Sequence, residues 1–387
     1  MISKFISFFC VLIILISSVS AGISIDQETT GRIQETAPHD ADAVIETLNY
    51  TLINNDYRET SSGGNQALIF YRMVQGKKEA GGIVKYVDKA SKALTTLGIL
   101  PSEQAARERF AFLLHEVLQE TSGINFGVPL TLLLKLPHVG SNTGNLYIAS
   151  FQEFISPHIP WQGTSEEEIN NIPQEEFQKL LFHVILDSTD AHKGNILLAP
   201  IQNGKGKTVY TPVLIDLSGI FPTSSTSGAL RRLYGWMMYR SAQQPLTDNW
   251  KKSLENLDIP FILDTMQLRW QEEVDYFGHA AQLPEEVWDL LTLTLHTVKY
   301  GAKYGQTLQT MASIFVPVKT TSQKGEVSFV GGEIELFIKK YFDSKSKRWV
   351  RLGEALEELE QILSGATPRR IERKTNFEHI DWCQING

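Results

Sequence analysis

Residues 182–222 read FHVILDSTDAHKGNILLAPIQNGKGKTVYTPVLIDLSGIFP. An apolar helix ending at Leu186 runs into a polar loop, and the loop closes on a short apolar strand, Ile196-Leu197-Leu198. Asn203-Gly204 supplies a hairpin turn, and Thr208 to Leu214 is the returning strand. That strand delivers Ile215-Asp216-Leu217-Ser218-Gly219. Asp190 and Asn195 precede the first strand and Asp216 follows the second, so all three stand at the open ends of one hairpin and are expected to converge. Carboxylate and amide oxygens suit a hard cation such as Mg²⁺, which takes one or two protein carboxylates and completes its shell with waters and phosphates. A carboxylate left outside that shell can accept a hydroxyl proton. Phosphoryl transfer needs this layout, because the protein mainly positions the reactants and neutralises charge.

Outward from this hairpin the pattern changes character. Upstream, Ala67 to Val74 and Gly82 to Val87 are strand-like, with Gln75-Gly76-Lys77-Lys78 as the turn between them and Ser61-Ser62-Gly63-Gly64-Asn65 as a small-residue loop before them. Ser102 to Glu120 has a helical period through Phe110, Leu113, Leu114, Val117 and Leu118. Val128 to Leu136 and Leu146 to Phe151 are further strands, and Phe177 to Leu186 is the apolar helix. Downstream, Val287 to Tyr304, Glu333 to Phe342 and Leu352 to Leu363 read as helices, with Pro368 beyond the last. A strand-rich part with one helix followed by a helix-rich part predicts a bilobal α+β arrangement, not alternating βαβ units. The expected division is a β-rich lobe over 45–155 and a helix-rich lobe over 156–387.

These motifs resemble the catalytic domain of the phosphatidylinositol 3- and 4-kinase family, nearest to its bacterial and type II-like branch. Asp190-Ala191-His192-Lys193-Gly194-Asn195 is similar to the family's D-R-H-x-x-N loop, and Leu214 to Pro222 to its I-D-x-G-x-x-F-P segment. The resemblance implies a protein-kinase-like fold binding ATP and Mg²⁺. It implies Asp190 as catalytic base, His192 as support of the catalytic loop, and Asn195 and Asp216 as metal ligands. Lys85 in Ile83-Val84-Lys85 matches the strand lysine that holds the α- and β-phosphates. Arg107-Glu108-Arg109-Phe110-Ala111-Phe112-Leu113-Leu114 resembles the R-E-x-x-A-Y-L-L helix, whose Glu, here Glu108, pairs with that lysine. Gln152, Glu153 and Phe154 fall in the segment that leads to the adenine hinge, and Gly63-Gly64 where the phosphate-covering loop belongs. Trp236, Ala242 and Gln244-Pro245-Leu246 are similar to the stretch after the metal loop. The match spans roughly residues 60–270. Ala191 replaces the family's usual Arg, and the glycine beyond Asp216 is displaced to Gly219.

The resemblance points to transfer of the γ-phosphate to a lipid or protein hydroxyl, with a phosphoinositide or a protein as substrate. A binding module without turnover, and transfer of AMP by the same fold, stay open as alternatives. Other readings of the loop are weaker. Asp187 rivals Asp190, but its place at the end of an apolar helix favours a capping or bracing role. Ser188 lacks the G-x-S-x-G turn of a hydrolase nucleophile. Arg231-Arg232 read as a solvated helix start or a grip on a substrate phosphate.

Composition narrows the classes. With 42% hydrophobic and 21% charged residues the chain is globular, and a net charge of −8 without a long basic run argues against nucleic acid as partner. Two cysteines, Cys10 and Cys383, make neither a disulfide framework nor a zinc site. Met1 to Lys4 is a charged start, Phe5 to Ile16 an apolar run too short to span a bilayer, and Val19-Ser20-Ala21 a small-residue cleavage site. Residues 1–21 therefore read as a secretory signal peptide, the mature chain as secreted or exported without a stable membrane span, and residues 22–44 as a disordered leader.

Overall fold

A computed structural model describes residues 23–60, 67–87, 92–95, 99–139, 145–204, 206–222, 234–316, 318–321, 327–330, 332–343, 348–367 and 371–372. The expected signal segment, Gly63, Gly64, Arg231, Arg232, Pro368 and both cysteines lie outside the described residues. The fold mixes helices with antiparallel sheets. The chain gathers into two compact units, residues 1–89 with 132–154, and residues 90–131 with 155–387.

The first unit is built on a five-stranded sheet of β1 (Tyr57–Glu59), β2 (Ala67–Val74), β3 (Lys77–Tyr86), β4 (Thr131–Pro137) and β5 (Leu146–Glu153), in the order β1-β2-β3-β5-β4. β2 and β3 are joined through Gln75-Gly76, both at positive φ (51° and 76°), the conformation that matches a two-residue turn to the twist of its strands. Lys85 lies opposite Ala67 on β2 and Ser150 on β5. The register shifts between Phe70 and Tyr71, which pair with Gly82 and Ala80, so Gly81 is the extra residue of a bulge.

The expected leader is not disordered. Helix α1 (Gln27–Thr36) begins at Asp26, whose side chain accepts a hydrogen bond from the Thr29 amide at 2.7 Å, and α2 (Ala41–Asn54) follows it. Val44, Leu48, Thr51 and Leu52 are buried at helical spacing. Thr51 Oγ1 accepts from the Tyr71 amide at 2.7 Å and donates to the Tyr71 carbonyl at 3.1 Å, occupying backbone groups that the bulge frees. Polar composition suggested disorder, whereas a narrow stripe of buried side chains decides the outcome.

The second unit takes the long helix α3 (Pro101–Ser122), which the sequence had grouped with the strands. Its centre explains this. Phe110 packs edge-on against Phe221, Trp270 and Trp288, with ring centroids 5.9, 5.2 and 5.4 Å away. The unit also holds α4 (Asp248–Glu255), α5 (Ile259–Phe277), α6 (Glu286–Lys303), α7 (Glu333–Tyr341) and α8 (Leu352–Leu363); α5 packs on α3, α6 packs on α4, α5 and α8, and α7 packs on α8. A three-stranded sheet joins β6 (Ile159–Pro160), β7 (Ile196–Gln202) and β8 (Thr208–Leu214) in that order. Among the described residues no helix is long and apolar enough to cross a membrane.

Candidate active site

The loop carrying Asp190 is set by the buried helical run before it. Phe177, Leu180, Leu181, Phe182, Val184, Ile185 and Leu186 are fully buried. Asp187 then turns left-handed (φ 42°) and ends the run. The Asp187 amide donates to the Val184 carbonyl at 3.1 Å and the Ser188 amide to the His183 carbonyl at 3.0 Å. Asp187 is itself buried, in keeping with a bracing role, whereas the Asp190 side chain keeps 42% of its surface exposed. Of the two carboxylates, Asp190 is the one open to solvent.

His192 organises the turn that follows. Its Nδ1 accepts from the Gly194 amide at 2.8 Å, so the neutral ring carries its proton on Nε2, 3.3 Å from Asp190 Oδ1. The ring therefore caps the turn Lys193–Asn195 and steadies the Asp190 carboxylate. Asn195 is buried, and its side-chain nitrogen donates to the Asp190 carbonyl at 2.9 Å. With the nitrogen tied back, the amide oxygen is the end left to meet a cation.

β7 and β8 pair from Ile196 opposite Leu214 out to Gln202 opposite Thr208. The pairing continues at the open end, where the Ile215 amide donates to the Asn195 carbonyl at 3.1 Å. The hairpin thus brings the backbone leading into Asp216 directly against Asn195. The connection is longer than a two-residue turn. Asn203 and Lys207 close it, the Asn203 amide donating to the Lys207 carbonyl at 2.9 Å and the Lys207 amide to Asn203 Oδ1 at 3.0 Å.

The loop from Asp216 to Phe221 is strained at both ends and held at several points. Asp216 and Phe221 both adopt positive φ (55° and 46°), which costs non-glycine residues roughly 1–3 kcal/mol each and persists only where surroundings enforce it. Ser218 Oγ donates to Asp216 Oδ1 at 3.0 Å. The amide and hydroxyl of Thr189 both donate to the Gly219 carbonyl at 2.8 Å, and the Phe221 amide donates to the Leu186 carbonyl at 3.0 Å. Position 219 has to be glycine for space, since a methyl group there would lie 2.9 Å from Thr189 Oγ1. The displaced glycine marks where the two loops touch.

α3 grips the same loop. Arg107 is fully buried, and its guanidinium donates to Glu103 Oε2 at 2.7 Å, to the Phe221 carbonyl at 2.7 Å and to the Ile220 carbonyl. Burial pushes the Arg107 pKa down and Glu103 opposes the fall. Arg109, two residues on and about 200° round the helix, points elsewhere, pairing with Glu273 on α5 at 2.8 Å and donating to the Thr131 carbonyl at 2.9 Å. Glu108, between them, is also buried. The motif match singled out Glu108 and assigned Arg107 nothing. The available signal was a run of three charged residues inside a helix otherwise apolar enough to be core.

In the first unit, Lys85 is half-buried on β3, and by strand alternation it leaves the face opposite to Val84 and Tyr86. Gln152 is buried and Glu153 exposed, paired across the sheet with Ile83 and Gly82. The Phe154 amide donates to the Gly81 carbonyl at 3.2 Å, so it is engaged within the sheet.

The donor set at the hairpin is oxygen only, which fits Mg²⁺ and not a softer ion. Among the described residues no cluster of three His, Cys, Asp or Glu side chains could hold a metal alone. No family model matches the sequence, and no curated protein matches it.

Proposed function

We propose that the protein is an exported, ATP- and Mg²⁺-dependent phosphotransferase with a bilobal protein-kinase-like fold of the phosphatidylinositol 3- and 4-kinase type. It moves the γ-phosphate of ATP to a hydroxyl of a lipid or a protein. The observation that carries this reading is the β7–β8 hairpin, whose open end seats Asn195 against the approach to Asp216 while Asn195 is hydrogen-bonded to the Asp190 backbone.

Asp190 takes the proton of the acceptor hydroxyl as its oxygen attacks the γ-phosphorus and the bond to the ADP oxygen breaks. His192 holds that carboxylate through Nε2–H and keeps the turn closed through Nδ1. Asp216 and the Asn195 side-chain oxygen would hold a bound Mg²⁺, which would neutralise charge on the phosphates. Lys85 pairs with the α- and β-phosphates, and Glu108 orients Lys85. Gly63 and Gly64 cover the phosphates, while Gln152, Glu153 and Phe154 lead to the adenine.

Parallel assays with α- and γ-labelled ATP test this. Label from the γ-position on a phosphoinositide or protein acceptor, lost in Asp190→Asn, is the expected result. Transfer of α-label instead would mean AMP transfer, and nucleotide binding without either would mean a binding module.

A further inference from the structure

We infer that Arg107 is a positioning residue that holds Asp216 in its metal-binding conformation by clamping the far end of the Asp216–Phe221 loop to helix α3. The inference rests on the phosphotransfer reading above.

The loop has six residues and a left-handed non-glycine residue at each end, Asp216 and Phe221. A segment so short transmits the geometry of one end to the other. Its interior is tied to the Asp190 loop by Thr189 on the Gly219 carbonyl. Its far end is tied by Arg107 alone among side-chain donors in the described residues, through two consecutive carbonyls, Ile220 and Phe221. These two contacts cross 113 and 114 residues of sequence, and the same guanidinium is anchored one turn earlier on its own helix by Glu103. A planar fork of donors can serve one carboxylate and two carbonyls at once, which an ammonium cannot. Ala191, where the resembled family carries an arginine, is fully buried, so the buried cation bracing this region comes from α3. α3 also carries Glu108.

A structural arginine and a positioning arginine differ in what their loss changes. Arg109 supplies the comparison. It is equally buried on the same helix, makes an ion pair of similar length with Glu273, and touches neither loop in any described contact. Arg107→Lys and Arg109→Lys keep the charge and reduce the fork. Calorimetric titration of ATP into the full chain across a series of Mg²⁺ concentrations gives the Mg²⁺ midpoint for each, with melting temperature measured alongside. Arg107→Lys is expected to raise the midpoint by at least about tenfold, the equivalent of one charge-assisted hydrogen bond. Arg109→Lys is expected to lower the melting temperature and leave the midpoint unchanged. If Arg107→Lys does not fold, Glu103→Gln replaces it, with an expected shift of about threefold, since the carbonyl contacts survive without their charged anchor. An unchanged midpoint in the folded variant, or equal shifts in both arginine variants, overturns the inference and leaves the phosphotransfer reading standing. A wild-type protein that binds ATP without regard to Mg²⁺, or not at all, overturns that reading and the inference with it.

Discussion

Lowering the pH from 7.5 to 5.5 tests the packing of the second unit at two buried histidines. His183 is fully buried, has no hydrogen-bond partner on either ring nitrogen among the described residues and lies near-parallel to Trp236; burial, with a smaller contribution from the charge of His192, pushes its pKa down to about 3. His115 accepts a hydrogen bond from the Phe126 amide, and burial, followed by the Lys179 charge, lowers its pKa to about 4. Both rings are neutral in the folded chain and titrate near 6.5 in the unfolded chain. Below 6.5 the unfolded state binds protons that the folded state refuses. The stability from each neutral ring is thus fully present above that value and is lost as pH falls toward its folded pKa. Between pH 7.5 and 5.5 each histidine removes roughly 1.4 kcal/mol, so about 3 kcal/mol together, from a total that for a domain is about 5–15 kcal/mol. Glu116 and Asp289, whose carboxyls burial raises, act in the opposite sense, but only nearer the carboxylate range. Urea unfolding at the two pH values reads the loss directly. His183→Phe, which removes two unpartnered ring nitrogens and keeps the planar contact with Trp236, should reduce the loss by about half. Equal stability at both pH values, or an undiminished loss in the variant, would refute the reasoning.

Three further outcomes are expected. Lys85→Met should weaken nucleotide binding without unfolding the chain, Glu108→Gln should do so more mildly, and a double-mutant cycle should show the two losses failing to add; simple addition would mean the two side chains do not act as a pair. Gly219→Ala should destabilise the chain by about 1–3 kcal/mol in denaturant unfolding, because its methyl group meets Thr189 Oγ1 where the two loops touch; a neutral effect would show that the loops are not in close contact. Amino-terminal sequencing of exported protein should begin at Gly22, and a start at Met1 would reject the processing signal.

What the sequence made legible follows the range of the interactions involved. Leu352–Leu363 is bounded where its amphipathic pattern ends, and Thr208–Leu214 starts after the polar turn that closes at Lys207. Both depend on near neighbours. The apolar run expected as one helix from Phe177 to Leu186 breaks into a turn of α-helix over Gln174–Phe177, a tighter 3₁₀ stretch over Gln178–Leu181 and a further α turn over Phe182–Ile185. Hydrophobicity alone does not distinguish these windings. α1 and α2 order against a sheet whose strands come later in the chain, so polar composition could not reveal them. The approach of the Asp190–Asn195 turn to the strand leading into Asp216 was visible because a hairpin is a local device. Arg107 was not, because the two carbonyls it clamps lie more than a hundred residues away. The left-handed backbone at Asp216 and Phe221 likewise carries no glycine to announce it.

The division of labour between the two aspartates is the centre of the account, and calorimetric titration of Mg²⁺·ATP into Asp216→Ala and Asp190→Ala tests it most directly. Asp216→Ala should abolish metal-dependent binding, because the proposed mechanism makes its carboxylate the principal charge on the ion. Asp190→Ala should bind with nearly the wild-type affinity and transfer no phosphate, because the proposed mechanism gives its half-exposed carboxylate to the acceptor hydroxyl. Equal loss of binding in both variants, or phosphate transfer surviving in Asp190→Ala, would contradict it.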